Sequence, residues 1–132
     1  MRRTLLLALT LALFAPGALA GTTIRQSGSI IAELDGHYLR VNGSIAAEFD
    51  GRYVRKSGSI IGEIDGRYIR KNGSIVGEID GDYVRKNGSI AYQIESNGTV
   101  RKSGSIVYTI DGFTNSDEMR GQIAAWLLLI VD

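Results

Sequence analysis

Aliphatic residues recur along this chain with a fifteen-residue period. Between Ile24 and Gly112 the chain repeats one unit six times, reading Tyr-aliphatic-Arg-Lys-Asn/Ser-Gly-Ser-Ile-aliphatic-small-Glu-aliphatic-Asp-Gly. Such self-similarity is typical of a repeat architecture. Short runs of β-branched residues bounded by turn dipeptides predict two strands per unit, each of five or six residues.

Turn dipeptides punctuate every unit. Asp-Gly begins at positions 35, 50, 65, 80 and 111, and Asn-Gly or Ser-Gly begins at 27, 42, 57, 72, 87 and 103. Because these residues tolerate the positive φ of tight hairpins, we expect the chain to fold back at each of them. The result is a meander of twelve antiparallel strands. In the alternative, a β-solenoid, equivalent arginines would stack about 4.8 Å apart, and like charges directly opposite destabilise a sheet.

The odd period requires one extra residue in each unit, because side chains alternate between faces with a period of two. We place it in a three-residue loop, Asn42-Gly43-Ser44, opposite a two-residue loop, Asp35-Gly36. This register predicts a core face carrying three aliphatic positions, represented by Ile30, Leu34 and Leu39. It predicts that the residues equivalent to the first of these are also buried, namely Ile45, Ile60, Ile75, Ile90 and Ile106. Glu33, Tyr38 and Arg40 then point outward.

A different element follows Gly112. Asn115 or Ser116 can cap a helix over 116–131, with Asp117 and Glu118 favourably placed in its first turn. Residues 123–131 are apolar on every side, which is typical of a helix enclosed by protein or lipid. The apolar run is much shorter than the ~20 residues that span a bilayer. We therefore expect protein around it.

Twelve strands can close around such a helix. A barrel of this strand number has a radius of about 11–13 Å, whereas a helix with its side chains has a radius of about 5–6 Å. The predicted inward position is small in four units, where it is Ala32, Ala47, Gly62 and Gly77, and becomes Tyr92 and Tyr108 in the last two. The sequence thus predicts an all-β, twelve-stranded antiparallel meander closed around an off-centre hydrophobic C-terminal helix.

Repeats such as Gly-Ser-Ile-Val-Gly-Glu-Ile-Asp-Gly-Asp-Tyr-Val-Arg-Lys-Asn-Gly, followed by an apolar helix, resemble those of the small bacterial β-flower repeat proteins. The predicted layout of strands around a helix is also similar to the tubby, scramblase and LURP-one-like barrels. The first resemblance covers most of 21–132, while the second is one of architecture. Neither implies any functional residue in this chain.

The N-terminus has the pattern of an export signal. Arg2 and Arg3 precede an apolar stretch from Leu5 to Phe14, and Ala18-Leu19-Ala20 has the form of a cleavage site. We expect residues 1–20 to be a cleaved signal peptide, 21–132 to be a single domain with repeats over 22–112, and the protein to be periplasmic or secreted. The chain has no cysteine, so no disulfide supports the domain.

Charge composition gives little reason to expect a nucleic-acid partner. The chain has 15 Lys and Arg against 14 Asp and Glu, a formal net charge of +1. Loss of the two N-terminal arginines would change this to 13 − 14 = −1. A nucleic-acid-binding domain is normally clearly basic.

The candidate binding residues form what we call the outer belt: Tyr38, Tyr53, Tyr68, Tyr83, Arg40, Arg55, Arg70 and Arg85. The predicted register sets Glu48 between Tyr38 and Tyr53, and sets Arg40 near Ala46, with the same relations in later units. Such a belt could bind a repetitive polymer, for example a cell-wall or extracellular polysaccharide, through stacking and charged hydrogen bonds. The alternative is cross-strand pairing that only stabilises the sheet.

No catalytic, cofactor or metal site is expected. The repeated aspartates are accounted for by turn preference, and His37 occupies a variable position at the predicted rim. The Asp-Gly period differs from that of calcium-binding nonapeptide repeats. The sequence therefore predicts an exported, non-catalytic structural or binding module of the bacterial envelope or extracellular space. The alternative is a membrane- or lipid-associated protein that uses the arginine row or the apolar helix. The sequence leaves the oligomeric state open.

Overall fold

A computed structural model describes residues 21–132, and the predicted signal peptide lies outside the described residues. Long and short strands alternate along the chain. The even-numbered, longer strands are β2 (Ser29–Asp35), β4 (Ser44–Asp50), β6 (Ser59–Asp65), β8 (Ser74–Asp80), β10 (Ser89–Ile94) and β12 (Ser105–Asp111). The odd-numbered strands are β1 (Thr22–Gln26), β3 (Tyr38–Val41), β5 (Tyr53–Lys56), β7 (Tyr68–Lys71), β9 (Tyr83–Lys86) and β11 (Thr99–Lys102). Most long strands have seven residues and most short ones have four, rather than the predicted five or six.

The twelve strands form one closed antiparallel barrel in which each strand pairs with its sequence neighbours. The first and last strands close the ring, with Ile24 opposite Ile110. The predicted meander is therefore confirmed, and the solenoid alternative is wrong. Within residues 21–132, closure leaves no unpaired edge strand that could recruit another chain.

Hairpins at both ends of the barrel have two-residue loops, except that a longer loop over 95–98 joins β10 to β11. Val41 pairs with Ser44, so Asn42 and Gly43 alone form the turn, and both have positive φ (54° and 82°). The predicted three-residue loop is wrong. At the other end of the barrel Asp35 pairs with Tyr38, so the two-residue loop is Gly36-His37 and not the predicted Asp35-Gly36. The last Asp-Gly, Asp111-Gly112, leads the chain out of the sheet toward the helix instead of folding it back.

The extra residue of each unit is a β-bulge inside the long strand. Leu39 pairs with Ala47 and Arg40 pairs with Ile45, so Ala46 has no partner on β3. The bulge reverses the alternation of faces, and Ile45 therefore points outward with Arg40. The predicted burial of this isoleucine in every unit is wrong. The exposed fractions are 58% for Ile30, 53% for Ile45, 52% for Ile60, 49% for Ile75, 53% for Ile90 and 56% for Ile106.

The other two aliphatic positions build the core as predicted. The centre of each short strand is fully buried, at Ile24, Leu39, Val54, Ile69, Val84 and Val100. Leu34 and Phe49 on the long strands are also buried. Inward-facing residues of both strand types therefore form one apolar lining around the barrel axis.

A C-terminal helix fills the barrel. Helix α1 spans Asp117–Trp126 and continues as a π-helical segment over Leu127–Val131. Ser116 caps it, because its hydroxyl oxygen accepts a hydrogen bond from the backbone N–H of Met119 at 3.1 Å. Ile123 and Leu127 are fully buried among the strands. The predicted plug, including one of its two candidate caps, is confirmed.

Small residues make room for the plug on one side of the barrel. The positions where Gly62 and Gly77 would carry a Cβ are occupied by Leu129 and Leu128, and α1 packs mainly on β6, β7 and β8. On the last strand Tyr108 packs edge-on against Trp126, with ring centroids 4.9 Å apart. The helix is therefore off-centre, and tyrosines occupy space on the other side, as predicted.

Candidate binding surfaces

The outer face carries a repeated row of five residues across neighbouring strands. Ile60 pairs with Arg55, Arg55 with Glu48, Glu48 with Tyr38, and Tyr38 with Asp35. Glu48 thus lies between a tyrosine and an arginine, not between two tyrosines. The arginine lies beside an isoleucine, not beside the bulge residue that we expected. The first correction follows from the Asp-Gly hairpin, where Asp50 pairs with Tyr53 and the loop is Gly51-Arg52. The second follows from the bulge.

The arginines of the outer belt are engaged in holding turns together. Arg55 donates from Nε to Oδ2 of Asp50 at 3.0 Å and from Nη1 to the carbonyl of Gly58 at 3.4 Å. Arg40, Arg70 and Arg85 make the same two contacts in their own units. Each guanidinium therefore links an acidic turn at one end of the barrel to a glycine turn at the other. Their side chains are 30–32% exposed.

A pocket recurs on the outer face in consecutive units, and we call it the repeat pocket. In one unit its lining includes Tyr53, Ile60, Glu63 and Arg70, and its volume is about 130 Å³. In the next two units the equivalent linings are Tyr68, Ile75, Glu78 and Arg85, at about 120 Å³, and Tyr83, Ile90, Gln93 and Arg101, at about 290 Å³. The structure thus brings the predicted tyrosines and arginines together. Each tyrosine shares a pocket with the arginine two strands further along the chain, as Tyr53 does with Arg70.

The exposed isoleucine of each repeat pocket was missed by the sequence reasoning. It gives the pocket an apolar wall beside a tyrosine ring and a charged pair. The odd period indicated one extra residue in each unit. A β-bulge and a longer loop can each accommodate that residue. The sequence alone offered no means of choosing between them.

Cations lie close to three of the belt tyrosines. The guanidinium carbons of Arg52 and Arg67 lie 5.7 and 5.3 Å from the ring centres of Tyr53 and Tyr68. The hydrogen bond to the tyrosine raises the pKa of Arg67, with a further contribution from Glu78. Arg40 lies in a similar way 5.7 Å from the ring centre of Tyr38.

Tyr83 differs from the other belt tyrosines. Asp82 replaces the arginine that precedes Tyr53 and Tyr68, and within residues 21–132 no cation lies over the Tyr83 ring. The residue is 38% exposed and lines the largest of the three repeat pockets. Its ring is therefore the most accessible stacking surface of the belt.

A buried arginine near the start of α1 was also missed by the sequence analysis. Arg120 is 7% exposed, and it donates from Nη1 to the carbonyl oxygen of Ile94 at 2.8 Å and from Nε to Oδ1 of Asn115 at 2.7 Å. It also bonds Asp82 and the carbonyl of Gly81. These contacts fasten α1 to the rim. The adjoining cavity, about 420 Å³, is lined by Arg67, Asp117 and Arg120 among others.

His37 lies in the hairpin turn between β2 and β3, at the rim where it was expected. It lines a smaller cavity of about 280 Å³ beside α1, together with Arg52 and Glu118. Both cavities lie where the wall and the plug leave space at the Asp-Gly end of the barrel.

Comparisons of this chain with protein-family models, with curated proteins and with solved structures gave no match. The β-flower and tubby-like resemblances therefore remain resemblances. None of the helices between residues 21 and 132 is long and apolar enough to cross a membrane.

Proposed function

We propose that this protein is an exported, non-catalytic binding module that holds a repetitive polymer, such as a cell-wall or extracellular glycan, against its outer face. The observation that carries the proposal is the recurrence of the repeat pocket in consecutive units, with the same four types of lining position. Equivalent pockets lie two strands apart, which is about 10 Å. A polymer whose own units repeat on a similar scale can contact several pockets at once.

The chemistry of the pocket suits a sugar. A sugar ring has an apolar C–H face and a polar edge. Tyr53 and Ile60 offer an aromatic and an aliphatic surface. Glu63 offers an acceptor, and Arg70 offers Nη2, since its turn contacts use Nε and Nη1. Half-exposed isoleucines at the same place in every unit leave apolar area in water, and a bound ligand would cover it.

The small size of the pockets favours many weak contacts over one strong one. Volumes of about 120–290 Å³ lie below the ~300–1,000 Å³ usual for small-molecule sites. Each pocket would therefore hold about one sugar ring, and useful affinity would come from simultaneous occupation along the belt. A long polymer is expected to bind much more tightly than a short oligomer.

The membrane-associated alternative has less support. The belt arginines already pair with turn aspartates, and the centre of the apolar helix is buried inside the barrel. The charge of the arginine row is therefore compensated by the turn aspartates, and the helix is enclosed in this conformation.

The test is co-sedimentation of the purified protein with isolated, insoluble cell-wall polymer. We expect the Tyr53→Ala/Tyr68→Ala/Tyr83→Ala variant to bind at least about tenfold more weakly, which corresponds to ~1.4 kcal/mol. The matched Tyr→Phe triple variant keeps the rings and should retain most of the binding. Equal binding by the alanine variant, or no binding by the unmodified protein, would contradict the proposal.

A further inference from the structure

Arginine and lysine are distributed very differently in this barrel. Every arginine between residues 21 and 132 lies in an ion pair, at Arg25, Arg40, Arg52, Arg55, Arg67, Arg70, Arg85, Arg101 and Arg120. The four lysines of the chain are Lys56, Lys71, Lys86 and Lys102. Each is the last residue of a short strand, next to an Asn-Gly or Ser-Gly turn. All four therefore lie at one end of the barrel, which we call the lysine mouth.

Strand register places these lysines on the inner lip of that mouth. Lys56 lies two residues after the buried Val54, and therefore on the same inward face of β5. Contacts of two other lysines agree with this placement. Lys102 Nζ lies 5.4 Å from the ring centre of the inward-facing Tyr92, and Lys86 Nζ lies 3.5 Å from Oδ2 of Asp132 at the end of the plug.

The side-chain carboxylate of Asp132 lies at this mouth. Asp132 Oδ1 accepts a hydrogen bond of 2.7 Å from the Tyr92 hydroxyl, while its other oxygen faces Lys86. Its side chain is 18% exposed. An anionic oxygen is therefore accommodated between a lysine and a tyrosine at this end of the protein.

The four lysines outnumber the acidic groups at this mouth. Lys56, Lys71 and Lys102 make no ion pair with the acidic groups of the described chain, and the six glycine turns beside them carry no acid. The repeated turn aspartates lie at the opposite mouth and are paired with arginines. Like charges close together along one part of the rim create a positive potential there.

We infer that the lysine mouth is a second binding site, for a linear polyanion of the phosphate class. The lysines lie on alternate strands, so neighbours are about 10 Å apart and the four cover an arc of about 30 Å. A single phosphate cannot contact more than one or two of them. A chain carrying several phosphates can follow the whole arc, and lysine binds phosphate as a point charge without requiring a fixed geometry.

The position of the lysines favours a polymer over a bilayer. A flat layer of anionic headgroups would first meet the uncharged turns such as Asn72-Gly73, whereas the lysines lie on the inner side of those turns. A flexible polyanion can bend around the turns and reach the lysines. This site is separate from the repeat pockets, which lie on the outer face.

Inorganic polyphosphate is a suitable probe, with affinity measured by titration calorimetry at low and at physiological ionic strength. We expect Lys56→Gln/Lys71→Gln to weaken binding about tenfold and to reduce its salt dependence. Lys56→Arg/Lys71→Arg keeps the charge and should bind like the unmodified protein. These side chains are exposed, so thermal melts should be unchanged.

Two further variants distinguish the lysine mouth from the outer belt. Asp132→Asn removes the internal carboxylate and should tighten polyphosphate binding, while the triple tyrosine variant of the outer belt should leave it unchanged. Absence of polyphosphate binding at low ionic strength would overturn the inference. Equal affinity of the glutamine variant would overturn it as well. Lysine-dependent binding to anionic phosphatidylserine vesicles without any binding to polyphosphate would assign the mouth to a membrane surface instead.

Discussion

Arg120 on the plug donates a hydrogen bond from Nη2 to Oδ1 of Asp82 in the turn between β8 and β9, at 3.0 Å. One partner is buried and the other is half exposed, with side-chain exposures of 8% and 48%. The same guanidinium also bonds the carbonyls of Gly81 and Ile94. A single side chain thus holds the helix to the β8–β9 turn and to the end of β10.

Replacing this arginine should destabilise the barrel. Arg120→Leu leaves buried carbonyl groups and Asn115 without their donor, and we expect a loss of about 2–4 kcal/mol in the free energy of unfolding. Asp82→Asn, on the more exposed side, should cost less than about 1 kcal/mol. Urea unfolding followed by tryptophan fluorescence measures both. Equal midpoints for Arg120→Leu and the unmodified protein would show that the helix is held by apolar packing alone.

Gly77 and Leu128 should be energetically coupled. A Cβ on residue 77 would collide with Leu128, and also approaches the carbonyl oxygen of Arg85 at 3.0 Å. We expect Gly77→Ala to cost about 1–3 kcal/mol by overpacking, and Leu128→Ala to cost about 2–5 kcal/mol by leaving a cavity.

The double variant tests whether these two residues truly meet. Because the new methyl group can occupy part of the space left by Leu128, the double variant should lose clearly less stability than the sum of the single losses. Strict additivity in a double-mutant cycle would contradict this packing. Leu128→Asp, which places an unpaired charge inside the barrel, should prevent folding.

Ile60 and Ile69 offer a direct test of the bulge. Both are isoleucines of the repeat, yet Ile60 is 52% exposed and Ile69 is completely buried. Ile60→Thr should change the free energy of unfolding by no more than about 0.5 kcal/mol, whereas Ile69→Thr should cost about 2–3 kcal/mol. Similar losses at both positions would mean that the bulge is absent and the outer face is differently arranged.

Alkaline pH should weaken the barrel through Tyr92. Burial, helped by the hydrogen bond to Asp132 and its negative charge, raises the pKa of this hydroxyl above its usual value. Burial raises the pKa of Tyr108 as well. Since the folded state then keeps its proton longer than the unfolded state, stability is unaffected below the usual tyrosine pKa of about 10 and falls above it.

The measurement is urea unfolding at about pH 8 and about pH 11, on either side of that ordinary value. Tyr92→Phe removes the ionisable group and should lose less stability between the two conditions than the unmodified protein. Tyr83→Phe, on the outer face, serves as the matched control and should behave like the unmodified protein. An equal alkaline loss in Tyr92→Phe would contradict the assignment.

Much of the architecture could be predicted from the sequence, because the turn dipeptides and the spacing of the aliphatic residues indicate the same strands. Asn-Gly at 42, 72 and 87 forces hairpins, and the buried row at Leu39 and Val54 follows from alternation along a short strand. The small residues Gly62 and Gly77 indicated an enclosed helix before its partners were known. Each of these inferences depends on local pattern alone.

The remaining features depend on contacts that no local pattern encodes. Ile45 and Leu39 are both aliphatic, and their faces differ only because the strand bulges at Ala46. Arg120 lies in a helix whose neighbours come from residues more than twenty positions earlier. Its role appears only when closure brings the rim to the helix. The lysine mouth likewise requires the ring, because its members are widely separated in sequence.

The arginine links have a consequence for how many units the barrel contains. Arg25 bonds Asp111 across the closing pair of strands, as Arg40 bonds Asp35 across β2 and β3, so the closing pair carries the same arginine–aspartate contact as a hairpin. These contacts between strands therefore do not fix the number of units at six. A seventh unit would satisfy every turn, pair and arginine, and would widen the radius by about 2 Å. The helix would then lose contact with part of the barrel wall. We therefore expect the diameter of the helix to set the number of units in the barrel.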